Sequence, residues 1–196
     1  MIVLGLTGSI GMGKTTVAKL FADLDVPVFN SDEAVNLIYM KNPDVLKFIK
    51  DNFIEYENDI ICKKRISEIV FNDKKKLAIL EKFIHPLVRE KQINFINESK
   101  KKKKPLIIIE IPLLYEVGVH NFIDFSIVVT APFEIQKSRV LQRKDMSEKK
   151  FLNILDRQMP DREKCAKADY IINNLEIEAT KKQVVNLCNK ILNSIK

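Results

Sequence analysis

Gly8-Ser9-Ile10-Gly11-Met12-Gly13-Lys14-Thr15 is the stretch on which the reading of this chain turns. It fits the phosphate-binding pattern Gly, four residues of any kind, Gly, Lys, then Ser or Thr. Its flanks are the ones the pattern requires. An apolar run, Ile2-Val3-Leu4-Gly5-Leu6-Thr7, leads in, and Thr16-Val17-Ala18-Lys19-Leu20-Phe21 leads out with helical spacing. Strand, glycine loop and helix together aim backbone N–H groups and a positive helix end at an anion. Gly8, Gly11 and Gly13 carry no Cβ, so the backbone can curl closely around phosphate. Met12 and Thr16 border the cradle. Lys14 supplies a point charge for the β- and γ-phosphates, and the Thr15 hydroxyl is placed to ligate Mg²⁺.

Working outward, the 196 residues suit one domain with insertions. A hydrophobic fraction of 46% excludes global disorder, and a charged fraction of 30% is that of a soluble protein. The formal charge of +7 favours anionic partners. Nucleotides meet that description, and so does nucleic acid, but the lysines are spread along the chain. Cys62, Cys165 and Cys188 are odd in number and far apart, which fits neither a disulfide framework nor a zinc site. A reducing, cytoplasmic setting is expected. The N-terminal apolar run has no basic segment before it, so it reads as a strand rather than a secretory leader. No uncharged apolar run reaches membrane-spanning length.

Val26-Pro27-Val28-Phe29 reads as a short strand. Pro27 lacks an N–H, which places it at a sheet edge. The strand ends at Asn30-Ser31-Asp32, where Asn30 or Ser31 can cap a helix. Position leaves Asp32 two readings: a ligand-facing acid at the carboxyl end of a strand, or a first-turn acid favoured by the helix dipole. Residues from about Ala34 to Ser99 read as several helices. Pro43 starts one, Ile66, Ile69 and Val70 recur at helical spacing, and Leu77, Leu80, Phe83 and Ile84 do so again. Asp59-Ile60-Ile61 reads as a small extended piece. His85 precedes Pro86, an arrangement typical of a helix boundary.

The run Lys100 to Lys104 reads as a solvated turn, with an RNA-holding surface as the other option. Leu106-Ile107-Ile108-Ile109-Glu110-Ile111 has the near-continuous apolar character of a parallel strand covered on both faces. Glu110 within it faces either a polar partner or the loop at the strand end. Phe125–Thr130 is a further strand. The helix after it is expected to carry Gln136, Arg139 and Arg143 on one face. Ser147 can cap another helix, which is expected to carry Arg157 and Gln158. Residues 168–174 read as a last strand, and the remainder as an amphipathic helix.

Parallel strands alternating with helices imply a doubly wound α/β fold. None of the five glycines has an Asp three residues before it, and no Asn-Lys-x-Asp occurs, so a guanine-nucleotide switch is not expected. Small size, arginine-bearing helices and a helical insertion favour a small-molecule kinase. A nucleoside or nucleoside-monophosphate kinase of the same fold is the alternative enzyme reading. A nucleotide-dependent RNA-binding module is the non-enzyme one.

At this point the chain resembles the dephospho-CoA kinase family along almost its whole length. The loop Thr7–Thr16 carries part of the likeness. Asn30-Ser31-Asp32 is similar to an Asp-Ala-Asp-like signature. His85-Pro86-Leu87-Val88-Arg89 and Pro112-Leu113-Leu114-Tyr115-Glu116 resemble two more family segments. Gln136, Arg139 and Arg143 match a lid pattern, and Arg157-Gln158, Ala168-Asp169 and Asn173 complete the likeness to the family. The resemblance implies a mainly parallel five-stranded sheet of the P-loop kinase type, with a helical substrate-binding insertion and a helical lid. It also implies transfer of the ATP γ-phosphoryl to the ribose 3′-hydroxyl of dephospho-CoA, with Mg²⁺.

Carried over residue by residue, the resemblance makes Asp32 the acid that orients or deprotonates the hydroxyl. Lys14 and Arg139 offset charge on the transferring group, and Arg143 serves the nucleotide. Asp32, His85, Arg89 and Glu116 shape the acceptor side. It further implies a single unit with a nucleotide-binding core of residues 1–33, 105–135 and 168–196. Residues 34–104 would form the helical CoA-binding region and 136–167 the lid. The expected partner is a small-molecule substrate, with no nucleic acid and no membrane, in a monomer or weak homo-oligomer. Four positions depart from the family pattern. Asn30 replaces the usual first acid, Asn36 a usual Arg, Lys63 an Arg and Cys62 an Asp, changes that bear on the acceptor more than on ATP.

Overall fold

The computed structural model describes residues 1–53, 73–118 and 121–194. Among them, five strands form one all-parallel sheet. In chain order they are β1 (Ile2–Thr7), β2 (Val28–Asn30), β3 (Leu106–Glu110), β4 (Phe125–Thr130) and β5 (Tyr170–Asn173). Across the sheet the order is β2-β3-β1-β4-β5. Their apolar character follows from burial on both faces. All five residues of β3 are buried, and so are Val3 to Thr7 of β1. Leu4, Leu6, Ile108, Ile127 and Val129 pack with Val17 and Phe21 into the main core. The helices in that core are α1 (Lys14–Ala22) and the C-terminal α9 (Ile177–Asn193), which contributes Val184, Leu187 and Ile191.

Pro27 behaves as expected. It directly precedes the edge strand β2, and its carbonyl accepts from Ile108 N at 2.9 Å while its ring nitrogen has no ladder bond to make. Two carboxylates tie strands together where ladder bonds run out. Asp124 Oδ2 accepts from Val3 N at 2.7 Å. Asp169 Oδ2 accepts from both the N–H and the hydroxyl of Ser126, at 2.7 and 2.8 Å.

The chain divides into two compact units, residues 1–30 with 96–196 and residues 31–95. The second holds α2 (Ser31–Lys41), α3 (Pro43–Phe53) and most of α4 (Lys74–Lys101). Its core is Ile38, Val45, Ile49, Phe53, Leu80 and Ile84, with the Phe48 and Phe83 rings stacked 4.0 Å apart. Pro43 does start a helix: Asn42 Oδ1 accepts from Asp44 N and Val45 N. The readings made at Asp59–Ile61, Cys62, Lys63, Ile66, Ile69 and Val70 lie outside the described residues.

Three expectations need correction. His85-Pro86 is not a helix boundary; both lie inside the 28 residues of α4. The missing N–H of Pro86 costs one helical bond. Apolar neighbours on either side, Leu80, Ile84, Leu87 and Val88, all pack on the helical core and hold the segment in register. Two helices flank β4 in the sheet unit, α5 (Leu114–Val117) before it and α6 (Phe133–Leu141) after it. Because α6 stops at Leu141, Arg143 stands in the turn beyond it rather than on the face of Arg139. That turn uses a left-handed Asp145, φ 62°, in place of a glycine. Ser147 does cap α7 (Glu148–Leu155), accepting from Lys150 N at 3.3 Å. Arg157 and Gln158, however, follow the end of that helix and precede α8 (Asp161–Lys167).

The lysine run closes α4 in a compact turn. Lys104 N donates to Ser99 O and Lys103 N to Lys100 O, the paired bonds of a Schellman end. Lys103 occupies the left-handed position at φ 53°, where glycine is ordinarily preferred. Lys104 then pairs with Asp25 at 2.6 Å, itself left-handed at the end of α1. Lys103→Gly is expected to stabilise the fold by about 1 kcal/mol, a rise in Tm of roughly 2–4 °C. An unchanged or lower Tm in a thermal melt would show that the lysine sits there without strain.

Candidate active site

The phosphate loop is shaped by three glycines that the surrounding residues leave no choice about. Gly8, Gly11 and Gly13 have φ of 150°, 79° and 88°. A Cβ on Gly8 would stand 2.5 Å from Val129 O, and one on Gly11 2.5 Å from Val140 Cγ2. One on Gly13 would meet Asn174 Nδ2 at 1.9 Å. Each wall therefore comes from an element distant in sequence. Lys14 Nζ donates to Gly8 O at 2.7 Å and Ser9 O at 3.3 Å, so its charge lies over the loop. Thr15 and Thr16 are exposed in the first turn of α1. Met12 turns its side chain into the core, where Sδ accepts from Ala131 N at 3.2 Å, so only its backbone can serve a ligand.

Asn174 is a residue the sequence reading passed over. It is 4% exposed, donates to Met12 O at 2.9 Å, and so braces the loop. Its place directly after β5 is the available signal, since ligand contacts gather at the carboxyl ends of parallel strands. Arg139 Nη2 donates to Asn174 O at 2.9 Å. Its Nη1 is buried without a hydrogen-bond partner and lies 3.8 Å from where a Gly13 Cβ would stand. A buried guanidinium nitrogen with an unused donor is costly unless it serves a ligand. Together with the cradle it fits a polyphosphate. Arg143 is exposed in the turn after α6.

At the end of β2, Asn30 stands opposite Glu110 in the β2–β3 register. Its Nδ2 donates to Glu110 Oε2 at 2.8 Å, and Glu110 is 4% exposed. Glu110 thus faces a polar partner. Asn30 gives that carboxylate a donor where an acid would bring a second negative charge. Asp32, two residues further on, is exposed in the first turn of α2. His85 and Arg89, four residues apart on α4, are both exposed and share a helix face.

Glu116 on α5 has partners that the sequence did not disclose. Its Oε1 accepts from Met159 N at 2.9 Å and lies 2.8 Å from Lys164 Nζ. Lys164 is fully buried, and the contact is an ion pair rather than a well-directed hydrogen bond. Burial pushes the Glu116 carboxyl up, but Lys164 and the Met159 N–H together hold it below its ordinary value of 4.5. A carboxyl lowered by folding stabilises the fold above its unfolded pKa, and the gain is lost as pH falls through the folded value. Between pH 4.5 and that lower value, the Tm of the wild type should therefore drop more steeply than that of Glu116→Gln. Parallel curves in an acid titration of Tm would remove Glu116 from the account. Next to this contact a cleft of about 680 Å³ opens, lined by Ser9, Phe133, Gln136, Leu152, Met159 and Asp161 among others.

An all-parallel sheet whose first strand opens on this cradle, with an arginine set against the last glycine, defines a P-loop kinase. A family model described as dephospho-CoA kinase matches residues 2–179. The chain belongs to that family. The dephospho-CoA kinase of Bartonella henselae is 43% identical over 194 residues, 98% of this chain and 99% of that protein. A crystal structure from Thermus thermophilus superposes with a TM-score of 0.83 at 28% identity, covering 96% of each chain. The dephospho-CoA kinase from Campylobacter jejuni gives a TM-score of 0.72 at 27% identity, covering 99% of this chain and 98% of that one.

Proposed function

We propose that the chain transfers the γ-phosphoryl group of ATP to the 3′-hydroxyl of dephospho-CoA, the last step in making coenzyme A. The observation that carries this reading is the glycine cradle with Lys14 above it and the unpaired Arg139 Nη1 beside Gly13. In the reaction a bond forms between the ribose 3′-oxygen and the γ-phosphorus. The bond to the β,γ-bridging oxygen breaks, and ADP leaves with its electron pair. Asp32 orients the hydroxyl and takes its proton, which a late transfer still requires. Lys14 and Arg139 offset the charge spread over the transferring oxygens. The backbone N–H groups of Gly11 and of Gly13 to Thr16 hold the remaining phosphates, and Arg143 adds charge at the lid.

Thr15 would hold Mg²⁺, an assignment its exposed hydroxyl in the first turn of α1 suits. When bound, the ion neutralises charge on the β- and γ-phosphate oxygens. Residues 34–104 serve the acceptor, with His85 and Arg89 on one face of α4, and residues 136–167 act as the lid. Glu116 shapes the acceptor side from its tie to Lys164. No helix of the described residues is long and apolar enough to cross a membrane.

A panel of acceptors with ATP and Mg²⁺ tests the reading. Phosphorylation of dephospho-CoA at the 3′ position is expected, with AMP and nucleosides inert. Transfer to AMP but not to dephospho-CoA would replace this reading with a nucleotide kinase.

A further inference from the structure

Ile10 sits in the middle of the phosphate loop, and both of its backbone groups are taken by glutamine side chains. Its N–H donates to Gln158 Oε1 at 3.0 Å. Its carbonyl accepts from Gln136 Nε2 at 2.7 Å. A carbonyl can only accept and an N–H can only donate, so the orientation of both amides follows from chemistry. The two glutamines come from opposite ends of the arginine-bearing segment. Gln136 is on α6 and Gln158 lies in the turn between α7 and α8, 22 residues later. Gln136 is 3% exposed, and its own carbonyl comes within 2.9 Å of where a Cβ on Gly11 would stand. Nothing in the phosphate chemistry above uses either side chain.

We propose that Gln136 and Gln158 are a pair of positioning residues that clamp Ile10 and so couple the shape of the phosphate loop to the placement of the segment between them. The clamp touches neither phosphate nor acceptor. It acts by holding the loop N–H groups in the arrangement that the triphosphate needs, and a small misplacement of such groups is costly in rate. It also gives the segment a direct contact with the first glycine turn, so nucleotide on the loop is felt at residues 156–160. Gln136 is the fixed jaw, being a buried residue of α6. Gln158 is the jaw that can open, being partly exposed and outside any helix.

The inference rests on the kinase reading for its rate arm only. Gln158→Ala is expected to speed hydrogen exchange at the loop amides of residues 8–13 in the free protein. It should also lower kcat by about tenfold to a hundredfold, with Tm close to that of the wild type. Gln158→Glu keeps an oxygen acceptor at the same reach for the Ile10 N–H. It should restore slow exchange and most of kcat, while its added charge raises KM for ATP. Wild-type exchange and wild-type kcat in Gln158→Ala would overturn the clamp. So would a Gln158→Glu protein that exchanges as fast as the alanine variant at unchanged Tm. If the wild type itself phosphorylates no dephospho-CoA, the functional reading fails. The exchange measurements, and the affinity for a non-hydrolysable ATP analogue, still decide the clamp.

Discussion

Replacing Arg139 with alanine is expected to lower kcat/KM by about 10³–10⁵-fold, or roughly 4–7 kcal/mol of transition-state stabilisation. The size of the effect comes from where the guanidinium is held. One nitrogen is spent on Asn174 O at 2.9 Å, which fixes the plane of the group. The other is buried beside Gly13 with its donors unused. A donor fixed in advance costs no reorganisation when charge develops near it. Arg139→Lys is the informative companion. A lysine has one charge centre and cannot both hold Asn174 and face the loop, so it should recover only part of the loss. Steady-state kinetics alongside Tm separate rate from folding. A loss of less than tenfold in the folded alanine variant would mean that Arg139 only props up Asn174.

The second large effect is at Asp32. Asp32→Asn keeps the size and the first-turn position but removes the carboxylate that we propose takes the proton. A general base contributes about 10²–10⁴-fold, and the loss should fall on kcat. Affinity for ATP should be retained, because the loop, Lys14 and Arg139 are untouched. Single-turnover rates and the dissociation constant of an ATP analogue make the comparison. An asparagine variant with normal kcat would leave the hydroxyl's proton to water or phosphate.

Much of the architecture was legible because the signals are local. The apolar run of residues 106–110 is buried along its whole length, and Pro27 marks an edge, as both residue patterns require. What local patterns missed is where helices end. The spacing of Gln136, Arg139 and Arg143 suits one face, yet α6 stops at Leu141 with neither glycine nor proline to announce it. His85-Pro86 erred in the other direction. A local bias toward a boundary lost to apolar packing by residues on both sides. The site was legible only in part, for a different reason. The loop is contiguous, but its walls and braces are not. Val129, Asn174 and the two glutamines on Ile10 belong to remote segments, and no pattern within the loop points to them. Asn30 reads in sequence as a missing acid. Only the strand register reveals the carboxylate of Glu110 opposite it.

The same walls govern how the protein is made. Gly8 leans on Val129, Gly11 on Val140 and Gly13 on Asn174, so the loop takes its form from segments that leave the ribosome well after it. At ordinary translation speeds, roughly 10–30 s separate the two events. Through that interval the nascent chain has the motif without its cradle. Nucleotide cannot steady the growing polypeptide, and ligand-induced protection becomes a property of the finished protein alone.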